Sequence, residues 1–198
     1  VFRLDDLARG LAHLGKDEHA RDEEQVHAAV AAILRDRPDG GGAELFFIQR
    51  AEHPNDPWSG HIAFPGGRRE ARDASLLATA IRETREEVGL DLERAELVAR
   101  LPEVPAFIRT KRGTLVVTPF VFAMRGEDVV VMNREVAATL WIPLASFARG
   151  EGKGTYRFTW EKKDYEVPCF RIGPEQKVLW GMTYRMLETM LHALGVAL

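Results

Sequence analysis

The run Asp73-Ala-Ser-Leu-Leu-Ala-Thr-Ala-Ile-Arg-Glu-Thr-Arg-Glu-Glu-Val-Gly-Leu90 constrains this chain most. Leu76, Leu77, Ala80, Ile81, Thr84 and Val88 recur at helical spacing, so the run reads as a helix with one face for a core. Asp73 is placed as its N-cap and Gly89 as its left-handed stop. The other face carries Glu83, Glu86 and Glu87, directly behind Arg82. Residues three and four apart on a helix have Cβ atoms roughly 5–6 Å apart. Glu83 therefore faces both other glutamates, and the three carboxylates are expected to form one ridge. Like charges at that spacing repel. A hard divalent cation offsets the repulsion, because Mg²⁺ takes oxygen ligands and couples carboxylates to substrate phosphates. A solvated acidic face is the plain alternative for any charge-rich helix. Upstream, Phe64-Pro65-Gly66-Gly67 reads as a turn whose glycines let backbone approach a ligand closely, and this context favours a phosphate and metal cradle.

At 198 residues the chain is long enough for one substantial core. Its hydrophobic share of 45% and charged share of 29% are those of an ordinary globular protein. A net charge of −3 gives no general pull toward nucleic acid or an anionic membrane. The single cysteine, Cys169, excludes an internal disulfide framework and reads as a small hydrophobe in a strand. No run reaches the length of a membrane span, and the charged start, Val-Phe-Arg-Leu-Asp-Asp, does not resemble a signal peptide. A cytoplasmic location is the resulting expectation.

Along the chain, residues 3–14 place Leu4, Leu7, Ala8, Leu11 and Leu14 on one helical face. Residues 1–22 are read as this helix and a charged connector, and 23–198 as a single catalytic domain. Val26–Leu34 reads as a buried strand, with a helix as the alternative because alanine is common in it, and the turn cluster Arg37–Gly42 leads to a partner over Glu44–Arg50. Further strands are expected over Glu96–Leu101, Thr114–Met124, Val129–Met132 and Leu140–Ile142. A hairpin is expected from Tyr156–Trp160 and Tyr165–Arg171, with a closing amphipathic helix from Trp180 to Leu194. This order predicts an α/β (α+β) chain with a mixed sheet between helices.

Gly67 through Leu90 resembles the Nudix box, whose second half runs Arg-Glu-hydrophobic-any-Glu-Glu-any-Gly-hydrophobic. Here it stands as Arg82-Glu83-Thr84-Arg85-Glu86-Glu87-Val88-Gly89-Leu90. The first half departs from the pattern: Asp73 takes the place of a Glu, and one extra residue separates it from Arg82. The resemblance implies an α/β/α sandwich and hydrolysis of a pyrophosphate joined to another moiety, assisted by Mg²⁺ or Mn²⁺. It implies that Glu83, Glu87, Glu86 and the Gly67 carbonyl hold the metal, with Arg82 steadying Asp73 or a box glutamate. Three residues compete for general base: Glu86, Glu135 (in a Glu-Val ahead of Trp141-Ile142-Pro143-Leu144) and Glu103.

Phe46-Phe47-Ile48-Gln49-Arg50-Ala51, followed by Gly60 and Phe64-Pro65-Gly66-Gly67, is similar to the signature of coenzyme A pyrophosphatases. Trp180-Gly181-Met182-Thr183 also resembles that branch. The second Arg of the signature is missing, its place falling on Asn55 or Asp56. The resemblance implies coenzyme A or its thioesters as substrate, cut to adenosine 3′,5′-bisphosphate and (acyl-)4′-phosphopantetheine. Arg50, Arg68, Arg69, Arg109, Lys111 and Arg112 are available for the 3′-phosphate. Lys111 and Arg112 sit in a basic loop, Arg109–Gly113, that could reach such a phosphate but reads more simply as a solvated hairpin turn. Trp58 is placed either on the substrate or in the core, and His53 and His61 in loops. ADP-ribose, dinucleotides, nucleotide sugars and nucleoside triphosphates remain alternative substrates. A non-catalytic nucleotide sensor remains an alternative of another class. A homodimer through the N-terminal or the final helix is left open.

Overall fold

The apolar run beginning at Val26 forms strand β1, Val26–Asp36, and its alternation organises the molecule. Successive side chains of a strand point to opposite faces. Ala29, Ala31 and Ile33 enter one core cluster, while Ala28, Ala32 and Leu34 enter another. Strand β2, Ala43–Arg50, divides in the same way, Phe46 and Ile48 to the first core, Leu45 and Phe47 to the second. The computed structural model describes residues 2–17, 25–54, 58–110, 113–126 and 129–197. In it, helix α1 (Leu4–Leu11) and the last helix, Gly181–Ala193, cover the second face with Leu4, Leu7, Leu11, Met186, Leu187 and Met190. Helix α2, Leu76–Val88, covers the first face with Leu76, Ala80 and Val88. Helices on both faces of a mixed sheet make the expected α/β/α sandwich. Each fully buried Leu or Phe contributes roughly 1.5–3 kcal/mol, so the two cores dominate stability.

Among the described residues the main sheet has eight strands. Besides β1 and β2 these are β3 (Ile62–Ala63), β4 (Gly66–Arg68), β5 (Glu96–Arg100), β6 (Val104–Thr110), β7 (Gly113–Ala123) and β8 (Val136–Pro143). β1 and β7 run parallel along their length, and the other pairings are antiparallel. β1 meets β2 only at Leu34–Asp36, while nearer its start Ala28–Val30 pair with β4. The sheet forks there, and Gly66 and Gly67 fill the opening. A separate three-stranded antiparallel sheet follows the short helix α3, Leu144–Ala148. Its strands are β9 (Lys153–Trp160), β10 (Lys163–Ile172) and β11 (Lys177–Trp180), and helix α4, Gly181–Ala193, closes the chain.

Several expectations change. Asp73 does not cap α2; Ser75 does, its hydroxyl accepting the Ala78 N–H at 3.0 Å. Gly89 ends the helix in the left-handed region as expected (φ 73°). Phe64–Gly67 is not simply a turn, because its glycines belong to β4. Val129–Met132 forms no strand. There Val131 donates its N–H to the Val88 carbonyl and Asn133 to that of Glu87, each at 2.9 Å, satisfying carbonyls at the end of α2. Strands β3, β4, β6 and β11 and helix α3 are too short or too irregular in pattern to announce themselves. Cys169 is fully buried in β10. No helix among the described residues is long and apolar enough to cross a membrane.

Candidate active site

Two glycines of β4 and one face of α2 build the site. At Gly66, φ is 149°, and a Cβ there meets the Ala29 carbonyl oxygen at 2.2 Å. A Cβ on Gly67 falls 2.5 Å from Cδ of Glu83 and 2.6 Å from its Oε1. The absent side chain is therefore the space in which the Glu83 carboxylate lies. From the same helix, Glu87 is 2% exposed and accepts the Gly66 N–H at 2.8 Å.

Arg82 organises the outer half. Its Nε and Nη2 grip the two oxygens of Asp73 at 2.8 and 2.9 Å. Its Nη1 lies 2.9 Å from Glu83 Oε1 and 3.0 Å from Glu86 Oε2, and Nη2 also donates to the Arg68 carbonyl at 3.2 Å. Asp73 further accepts the Glu70 N–H at 2.8 Å and the Thr79 hydroxyl at 3.0 Å. The Arg82 guanidinium holds the Asp73 carboxyl well below the usual carboxylate range, the hydrogen bonds reinforcing it against burial. A forked guanidinium matches a carboxylate in this way, so Asp73 ties the loop before α2 to the middle of the helix rather than capping its end.

The three box glutamates do not gather at one point. Glu87 turns inward, Glu83 lies between Gly67 and Arg82, and Glu86 turns out to Arg82 and to Arg72, 3.1 Å away. Among the described residues no three His, Cys, Asp or Glu side chains converge closely enough to enclose an ion. Mutual repulsion and the arginines explain the divergence. The chemistry of the two inner carboxylates nonetheless fits a cation. Burial pushes the Glu83 carboxyl up, against the pull of Arg82. Burial likewise pushes Glu87 up to about 8, against the Gly66 N–H and the charge of Arg50. Buried carboxylates left short of positive charge are costly, and an all-oxygen donor set suits Mg²⁺ or Mn²⁺.

The structure brings two other expected residues to this pair. Arg50 ends β2, beside a register shift against β8, and its charge reaches Glu87. Glu135, exposed just ahead of β8, accepts the Ala51 N–H through its own carbonyl at 2.8 Å, and its charge acts on both Glu83 and Glu87. Glu103 is engaged elsewhere, by Arg100 at 2.7 Å and the Thr118 hydroxyl at 3.3 Å. Arg68 is exposed, and Trp58 is half-buried against the second core. Lys111 and Arg112 lie outside the described residues, as do Asn55 and Asp56, the side chain of Arg109 and much of the N-terminal connector. Sequence reasoning missed Ser75, Thr79 and Arg72. Only Ser75 carried a signal, standing directly before the apolar stripe.

Two glycines of one strand thus stand against half-buried Glu83 and buried Glu87 on a helix that the sheet holds in place. Residues 25–159 match the family model of the NUDIX domain. The chain is 30% identical over 183 residues to the uncharacterised Nudix hydrolase NudL of Salmonella paratyphi B, covering 87% of this chain and 84% of that protein. An uncharacterised Schizosaccharomyces pombe protein is 40% identical over 107 residues, 51% of this chain, which spans only 32% of that longer relative. Among solved structures, a MutT/nudix family protein from Enterococcus faecalis aligns with TM-score 0.54 at 19% identity, over 90% of this chain and 71% of that one. A C. elegans Ap4A hydrolase complex aligns with TM-score 0.51 at 21% identity, over 63% and 84%. Both likenesses concern the fold. The chain belongs to the NUDIX family and is an enzyme of the Nudix pyrophosphohydrolase class.

Proposed function

We propose that this enzyme hydrolyses the pyrophosphate bond of coenzyme A or an acyl-coenzyme A, releasing adenosine 3′,5′-bisphosphate and (acyl-)4′-phosphopantetheine. The observation that carries the hydrolytic part is the Glu83 carboxylate lodged in the space that Gly67 leaves open, next to buried Glu87. The coenzyme A part rests on the similarity of Phe46–Ala51, Gly60 and Phe64–Gly67 to that branch of the family.

Glu83, Glu87 and the Gly67 carbonyl would hold Mg²⁺ or Mn²⁺, with Glu86 joining them by leaving its arginines. Such an ion neutralises phosphate charge and makes water a better nucleophile. Arg82, anchored on Asp73, holds Glu83 in its groove, and Arg50 offers positive charge to a phosphate from the opposite wall. Glu135 is the proposed proton acceptor for the attacking water, since its charge reaches both inner glutamates and its carboxylate has no ion pair among the described residues. Glu103 serves less well, because Arg100 already engages it.

Product analysis by liquid chromatography and mass spectrometry tests the reading, with coenzyme A, ADP-ribose, NADH, diadenosine polyphosphates and nucleoside triphosphates offered separately in Mg²⁺ and Mn²⁺. Coenzyme A cut fastest, to adenosine 3′,5′-bisphosphate, is the expected result. Faster cleavage of another substrate removes the coenzyme A assignment, and no cleavage with either metal removes the hydrolase chemistry.

A further inference from the structure

The β9–β10 hairpin has two unlike faces. Register pairs Phe158 with Tyr165, Tyr156 with Val167 and Arg157 with Glu166. One face is polar, with Arg157 bound to Glu166 at 2.5 Å and Thr159 to Asp164 at 2.7 Å. The other is aromatic. The Phe158 and Tyr165 rings lie 5.4 Å apart and those of Tyr156 and Phe158 6.2 Å apart, each pair inclined by only 17°. Trp180, at the end of β11, stands 4.6 Å from Phe158 and 5.0 Å from Tyr156. These four side chains are half-exposed and pack in neither core cluster. Trp160, exposed at the hairpin tip, follows on the same face by alternation.

One end of this row is linked through His61 to the main chain of Arg50. The His61 ring lies 5.0 Å from Trp180, and the His61 carbonyl accepts the Arg50 N–H at 3.0 Å. Arg50 is the residue whose charge reaches buried Glu87. Two side-chain bonds fix the small sheet and α4 to the same wall. Lys177 donates to the Gln49 side chain at 2.6 Å, and the Thr183 hydroxyl donates to the Ile62 carbonyl at 3.2 Å. A diphosphate held between Arg50 and the glutamates must send its organic group outward, and the aromatic row is what the chain places along that wall. The NUDIX match stops at residue 159, so β10, β11 and Trp180 lie beyond the part of the chain shared with the family model.

We infer that Tyr156, Phe158 and Trp180 form a stacking platform for the nucleobase of a nucleoside diphosphate substrate. The inference rests on the hydrolase reading above and adds the group that the hairpin selects. Half-exposed Tyr156 and Phe158 lie within 17° of parallel, with Trp180 inclined by 44° and 46° against them. A base is favoured over a flexible tail because aromatic rings so placed stack on the planar face of any base.

Calorimetric titration of the full chain with ADP and with inorganic pyrophosphate, in Mn²⁺, separates the base from the phosphates. Wild type is expected to bind ADP more tightly than pyrophosphate. Phe158→Leu, which keeps apolar bulk, is expected to weaken ADP about tenfold and leave pyrophosphate within about twofold. Tyr156→Leu serves as the second variant should Phe158→Leu fail to fold. Equal wild-type affinities for the two probes, or equal losses for both in the variants, overturn the platform. A dimer in sedimentation that dissociates in Phe158→Leu at unchanged ADP affinity also overturns it and assigns the face to a second copy of the chain. Tight, ring-dependent ADP binding by a protein that cleaves no nucleotide keeps the platform and removes the hydrolase reading.

Discussion

Glu87 turns its carboxylate inward to accept the Gly66 N–H at 2.8 Å, joining the last turn of α2 to the strand that fills the fork of the sheet. One residue on, Gly67 yields its side-chain space to Glu83. The two contacts set helix and strand at one spacing, and each glycine bears a different load.

Gly66→Ala and Gly67→Ala therefore differ in kind. At Gly66 the added carbon meets main chain at 2.2 Å, at a φ of 149° that suits glycine. That variant is expected to be strongly destabilised or insoluble. At Gly67 the carbon meets only the end of a side chain, so the protein folds with Glu83 displaced and activity largely lost. Thermal melts beside turnover check the pair, and a Gly66→Ala protein as stable as wild type contradicts the argument.

Glu87 makes stability depend on pH. Its pKa rises from 4.5 to about 8 through burial, so between those values the folded chain keeps a proton that the unfolded chain releases. Stability of the chelated protein accordingly falls as pH rises through that window. Glu87→Gln is expected to melt higher than wild type at pH 8 in chelator, with the gap closing near pH 5. Added Mn²⁺ stabilises wild type, most at the alkaline end, and Glu87→Gln much less. A flat difference between the two proteins from pH 5 to 8 refutes this account.

Asp73→Asn leaves Arg82 half-paired beside two further carboxylates. Breaking a buried ion pair costs about 3–5 kcal/mol, and Arg82 is 15% exposed, so a loss toward the lower end is expected in urea unfolding. Because the Asp73 carboxyl is held below its ordinary value, its contribution is present above pH 4 and disappears as acid protonates it. The stability gap between wild type and variant narrows on acidification.

Thr84 stands where the box has a hydrophobic residue, is fully buried, and its hydroxyl has no hydrogen-bond partner among the described residues. An unsatisfied buried hydroxyl costs about 1–3 kcal/mol. Thr84→Val is expected to stabilise the protein by about 1 kcal/mol with activity unchanged. Denaturant midpoints of the two proteins decide it.

Glu83→Gln is expected to lower turnover by at least about a hundredfold without unfolding the protein, since an interaction that stabilises developing charge typically carries that much. Glu135→Gln should remove the ionisation of the proton acceptor from the pH–rate profile. A profile unchanged in Glu135→Gln but altered in Glu103→Gln moves the role to Glu103.

Much of this was legible in the residues. The stripe of α2 and the Leu spacing of α1 each report a local period, and a local period survives without knowledge of partners. The box glutamates were legible as a group for the same reason. Their destinations were not: Glu86 goes to Arg72, fourteen positions away, and Glu87 to Gly66, twenty-one away. The Ser75 cap could have been read, whereas the fork at β4 could not, because pairing of Ala28–Val30 with Gly66–Arg68 is decided across the sheet.

By itself the sequence determined the helix that carries the glutamates and the existence of the first strands, which follow from local pattern, and through its resemblance to the Nudix box it pointed to the chemistry. Only the tertiary structure decided that Asp73 braces Arg82 instead of capping α2, that Glu83 occupies the room of a missing Cβ, and that Trp180 meets His61 beside Arg50. Those outcomes depend on which distant groups compete for the same volume and charge, and that competition exists only once the sheet has closed.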